Sequence, residues 1–98
     1  MRRVLFRPAA RADLAGIWRY TAGQWSPGQA DLYTNDIMRT IEALAAGSQK
    51  GRAIDEIREG CFKQTVGRHV VVYRLDDADA IEVLRILHQR MDLPTHLP

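Results

Sequence analysis

A chain of 98 residues, 46% apolar and 27% charged, is long enough for one hydrophobic core and too short for two, and it lacks the composition of a disordered chain. Its formal charge of +2 argues against nonspecific nucleic-acid binding as the main activity, because such binding rests on many phosphate contacts. The single cysteine, Cys61, excludes an internal disulfide and any metal site built on two thiolates.

The first element in chain order is a short strand at Val4-Leu5-Phe6, since Pro8 biases Arg7 away from helix. Those apolar residues are too few for a signal peptide, and no run approaches the roughly 20 residues of a membrane span, so a cytosolic protein without membrane contact is expected. Pro8 suits the first turn of a helix. From Ala9 onward Ala10, Leu14, Ile17, Trp18, Thr21 and Trp25 recur at helical spacing, which assigns Trp18 and Trp25 to a buried stripe. Ser26, Pro27 and Gln29 have the pattern of an N-cap, first helical position and capping-box partner for a second helix. Ala30, Tyr33, Ile37, Ile41, Leu44 and Ala45 give that helix its apolar face, and Gly47 ends it. The short link makes the pair an antiparallel hairpin.

Residues 48 to 60 show no sustained period and read as an irregular connection. Cys61 to Val66 alternates as a strand, Gly67-Arg68 is a turn, and His69 to Leu75 is rich in β-branched residues. After the acidic turn at Asp76 to Asp79 comes a last strand, Ala80 to His88, apolar on both faces except at Glu82, Arg85 and His88. The fold class is therefore α+β, in the order β-α-α-β-β-β, with the hairpin packed on one face of a small, mainly antiparallel sheet as a single domain over residues 1–98.

No cofactor or metal site is expected. His69, His88 and His96 lack paired helical spacing, and the acidic turn lacks the glycine and distal glutamate of a calcium loop. No glycine-rich run follows a strand to cradle phosphate. Cys61 and His69 fall across one predicted hairpin, but nothing there orients them or forms an oxyanion hole. What stands out is arginine: of fourteen basic residues only Lys50 and Lys63 are lysine, a bias that suits bidentate anion recognition and that a GC-rich coding sequence also produces. Arg58, Arg68, Arg74, Arg85, His88 and Arg90 all fall on the sheet or at its ends. Arg85, inside an apolar strand, needs either an internal partner among Glu82, Asp92 and Glu59 or a place on an uncovered sheet face, offered to an anionic partner.

The segments RPAARADLAGIWRYTAGQW, VGRHVVVYRLDD and IEVLRILHQRMDLPTHL together resemble the ParE toxins of the ParE/RelE superfamily over nearly the whole chain, most specifically at Gly67-Arg68-His69, Tyr73-Arg74 and His88-Gln89-Arg90-Met91-Asp92. The resemblance implies the toxin of a type II toxin–antitoxin pair that inhibits DNA gyrase without being an enzyme. It also implies a ParD-like antitoxin that wraps the toxin and alone contacts operator DNA. On that reading Arg58, Arg85, His88, Arg90 and Met91 contact the target, while Trp18, Tyr33, Arg68 and Arg74 contact the antitoxin. The alternatives are a ribosome-dependent messenger-RNA endonuclease of the RelE branch and a degenerate, non-toxic member. RNA cleavage needs a base, a proton donor and cations at the phosphate. Arg85 and His88 could serve, but no tyrosine lies near the C-terminus and Lys63 is the only lysine of its strand, so a non-catalytic inhibitor is expected.

Overall fold

A computed structural model describes residues 1–97. The elements are β1 (Arg3–Phe6), α1 (Pro8–Gln24), α2 (Pro27–Ala46), β2 (Arg52–Ala53), β3 (Cys61–Val66), β4 (His69–Leu75), β5 (Ala80–His88) and the single turn α3 (Leu93–His96). The strands form one sheet in the order β1-β5-β4-β3-β2. Only β1 runs parallel to its neighbour, β5; the other pairs are antiparallel. The expected fold class holds, with β2 and α3 as additions.

The hairpin forms for local reasons. Pro8 opens α1 with a φ already suited to a helix. At α2 the Ser26 hydroxyl accepts the Gln29 N–H at 3.1 Å, Pro27 follows, and Gly47 closes the helix in the left-handed conformation. The two helices bury Ala10, Ile17, Ile37, Ile41 and Leu44 against Val71, Tyr73, Ile81, Val83 and Ile86 of the sheet. Trp25 is not part of this core. The chain leaves α1 after Gln24, and Trp25 turns outward, 78% exposed.

The opposite sheet face was expected to be open, but it carries a second, smaller core. Alternate strand residues point to opposite faces, so Val70, Val72 and Cys61 meet Ile54, Leu84 and Leu97, with Ile57 and Leu93 packed alongside. Burial raises the Cys61 thiol pKa, although Arg58 and Arg74 pull it down, and the residue behaves as a core hydrophobe. Cys61 lies opposite Arg74 while His69 lies opposite Val66, so Cys61 and His69 occupy opposite ends of the β3–β4 hairpin and cannot act together.

The connection expected to be irregular contains β2. Gly51 makes this possible: its N–H donates to Tyr73 Oη at 2.9 Å, and a Cβ there would stand 2.5 Å from that oxygen and 2.7 Å from the Lys63 carbonyl. That close approach lays Arg52 and Ala53 beside Lys63 and Phe62.

A β-bulge in β5 sets where the polar residues point. Val72 pairs with Arg85 but Tyr73 pairs with Val83, leaving Leu84 as the extra residue. Val83 and Ile86, three positions apart, therefore both face the hairpin, where a regular strand would place them on opposite sides. β1 pairs only as far as Val83, so beyond it β5 has no strand on that side. Asp13 of α1 fills the place. Its carboxylate accepts the Ile86 N–H at 2.9 Å and takes Arg85 Nε and Nη2 at 2.7 and 2.9 Å. Arg85 Nη1 also donates to the His96 carbonyl at 3.3 Å, tying down α3.

Removing Asp13 strands a half-buried guanidinium and a strand N–H together. Asp13→Ala is expected to lower unfolding free energy by about 3 kcal/mol, against about 0.5 kcal/mol or less for Glu56→Ala in an exposed pair. Urea denaturation of both variants measures the contrast.

Candidate partner interface

Past the bulge, β5 delivers His88 to the hairpin side of the sheet. There His88 pairs with His69 across the strands, the rings edge-on with centroids 5.3 Å apart. Tyr33 of α2 stands over His69, with its hydroxyl 2.6 Å from His69 Nδ1. The same hydroxyl accepts the Arg68 N–H at 3.0 Å. Gly67 beneath the ring has φ +56°, and a Cβ there would sit 2.7 Å from Tyr33. Tyr33 thus bolts α2 to the β3–β4 turn.

The chain after β5 folds back onto this site. Gln89 N–H donates to the Arg68 carbonyl at 2.9 Å, Arg90 N–H to His88 Nδ1 at 3.1 Å, and Met91 N–H to the His88 carbonyl at 2.9 Å. The result is a groove of about 960 Å³ between α1 and the β4–β5 end of the sheet. Gly16, Tyr20 and Trp25 line one wall and His69, His88 and Met91 the other. Tyr20, Trp25 and Met91 are 70%, 78% and 45% exposed, so three large apolar side chains gather at this groove.

The residues expected to contact the target do not share one surface. His88 and Met91 line the groove, and Arg90 is exposed on the turn between them. Arg58 and Arg85 instead border a small cavity on the other side of the sheet. Arg85 has an internal partner, but it is Asp13 and none of Glu82, Asp92 or Glu59. Asp92 instead accepts from the Thr95 hydroxyl. Among residues expected to face the antitoxin, Tyr33 and Arg68 line the groove. Trp18 is half-buried and donates from Nε1 to Asp31 at 2.9 Å, joining α1 to α2. Arg74 lies at the far end of β4, paired with Glu82. Tyr20 and Asp13 went unnoticed in sequence. Tyr20 lies off the apolar stripe, and Asp13 is a lone carboxylate within it, three residues from Ala10 and four from Ile17.

Among the described residues no cluster of three or more His, Cys, Asp or Glu side chains could hold a metal, and no helix is long and apolar enough to cross a membrane.

Architecture and site together define the class: a small α+β domain of the ParE/RelE-like fold. A protein from the chromosomal ParDE toxin–antitoxin system of P. aeruginosa superposes with a TM-score of 0.76 at 23% identity, over 90% of this chain and 96% of that one. A chain of the RelBE2 toxin–antitoxin complex of Mycobacterium tuberculosis superposes more distantly, with a TM-score of 0.55 at 20% identity, over 89% of this chain and 96% of that one. In sequence, the family model of the ParE toxin of the parDE type II toxin–antitoxin system matches residues 4–93. Toxin ParE1 of Mycobacterium tuberculosis is 42% identical over 95 residues, 97% of each chain. Toxin ParE1 of Caulobacter vibrioides is 36% identical over 88 residues, 90% of each. The chain belongs to the ParE toxin family of type II toxin–antitoxin systems.

The histidine pair gives the site a pH signature. Burial first, and the neighbouring His88 second, push the His69 pKa below its ordinary value; Asp13 offsets this in part. Tyr33 and the Arg68 backbone complete its surroundings. A histidine with a lowered folded pKa binds protons more readily when unfolded, so stability falls as pH drops through the ordinary histidine range near about 6.5 towards the folded value. Denaturation midpoints measured from about pH 7.5 to about 5.5 should fall more steeply for the native chain than for His69→Asn, whose amide can still hydrogen-bond Tyr33 but does not titrate.

Proposed function

We propose that this protein is the cytoplasmic toxin of a pair whose antitoxin is ParD-like, and that it blocks DNA gyrase by binding. The observation that carries the antitoxin half is the groove with its exposed Tyr20, Trp25 and Met91. A segment presenting alternate apolar side chains fits it, and acidic side chains on that segment would meet Arg68 and Arg90 at its margin. Operator DNA is contacted through the antitoxin, in keeping with the chain's near-balanced charge.

A binding mechanism suits the polar groups present. Tyr33, His69 and His88 are engaged with one another and with backbone N–H groups, and Arg85 is held by Asp13. Tyr33 and His69, the groups beside His88 that could give a proton to a leaving oxygen as RNA cleavage requires, are hydrogen-bonded to each other. The target surface on this reading is the arginine-bearing face opposite the groove, with Arg58 the most available guanidinium and Arg85 acting mainly as its support.

The test is a supercoiling assay with purified gyrase and ATP. Native toxin should suppress supercoiling or accumulate cleaved DNA, and the cognate antitoxin should restore activity. A Trp25→Ala toxin should poison equally but need roughly 30-fold more antitoxin, the loss of a central aromatic anchor worth about 2 kcal/mol. Intact supercoiling alongside messenger cleavage in a ribosome-containing extract would transfer the protein to the endonuclease class. Equal rescue of both toxins would remove the antitoxin from the groove.

A further inference from the structure

On the face opposite the groove, Arg7, Arg58 and Arg85 converge on a cavity of about 200 Å³ walled by Pro8, Leu84 and Leu97. The carboxylates nearby are already divided. Glu82 is shared between Arg7 and Arg74, and Asp13 is held by Arg85 and the Ile86 N–H. Asp55 accepts the Gly60 N–H, and Glu56 pairs with Arg52. Arg58 forms no ion pair among the described residues. Four guanidiniums in this region (Arg7, Arg58, Arg74, Arg85) face three carboxylates (Glu82, Asp13, Asp55), which leaves a local excess of one positive charge.

The same cavity receives the start of α1, through Pro8 and Ala9. The N-cap Arg7 makes no side-chain cap, and no acidic residue occupies the first turn. The first backbone N–H groups of a helix have no partner within it and favour an anion, so here they add to the arginines. The cavity is smaller than the roughly 300–1,000 Å³ of sites for whole small molecules, which suits one compact anionic group.

We propose that this cavity is a phosphate-binding site. Arginine forks on two sides, with apolar walls that limit water, match a tetrahedral oxyanion. A phosphate group offers three strong acceptor oxygens to the arginines and the helix N–H groups together, where a carboxylate offers two. The site does not depend on gyrase being the target.

The test is a titration of the full-length chain with inorganic phosphate, followed by ¹H–¹⁵N NMR, with acetate at matched ionic strength as comparator. Saturable shifts are expected at the Ala9 and Ala10 amides and at Arg58 Nε–H, with acetate at least about tenfold weaker. Arg58→Gln, which leaves the Asp13–Arg85 and Glu82 pairs in place, should weaken phosphate at least about tenfold with an unchanged melting temperature. Competition by a short single-stranded oligonucleotide would assign the phosphate to a nucleic-acid backbone, and its absence to a free phosphate or monoester. Linear shifts spread over surface arginines, equal binding by Arg58→Gln, or acetate as effective as phosphate would each overturn the proposal.

Discussion

Everything distinctive about this molecule depends on one carboxylate. β1 stops at Phe6, opposite Val83, and leaves β5 with an open edge just where the bulge has turned Arg85 away from the hairpin. An unpaired strand N–H and a half-buried guanidinium at one point would be costly. Asp13 satisfies both, from a helix 72 residues away in sequence. It fixes the height at which α1 crosses the sheet, and through Arg85 and the His96 carbonyl it also holds the C-terminal turn. Helix, central strand and chain end are thereby held together by one charged pair.

That arrangement separates two surfaces of different chemistry. The bulge moves Ile86 inward and brings His88 alongside His69 and Tyr33, so the hairpin side becomes a groove with apolar walls and a polar floor. Arg85, left on the other side, braces a face where Arg7 and Arg58 gather. A groove of exposed aromatics suits a partner that stays bound, because such anchors carry most of the binding energy of an interface. A sparse cationic face suits recognition of charge. On the reading proposed above, the antitoxin would cover one side of the domain and leave the arginine-bearing side free.

What was legible in the sequence is what local chemistry decides. Ser26, Pro27, Gln29 and Gly47 mark α2 because caps act within a few residues. The meander of β3, β4 and β5 follows from alternation and turn residues in one stretch of chain. β2 was not legible: two residues carry no period, and their strand pairing depends on Gly51 fitting under Tyr73 from 22 positions away. Trp25 fitted the helical stripe by spacing, yet the helix ends one residue earlier. The basic residues expected on the sheet or at its ends divide between two faces, a division that depends on the bulge at Leu84, which no local pattern marks. Asp13 was hidden for a related reason, since a polar residue inside an apolar stripe acquires its meaning only from a strand that has yet to pair.

The central claim is that the groove beside α1 receives the antitoxin while the arginine face stays open. Hydrogen exchange of the toxin alone and with its antitoxin tests this most directly. The account predicts slowed exchange in the second half of α1 and at residues 67–69 and 86–91, with little change at residues 54–60. Protection confined to residues 54–60 and the start of α1, with the groove unaltered, would contradict it.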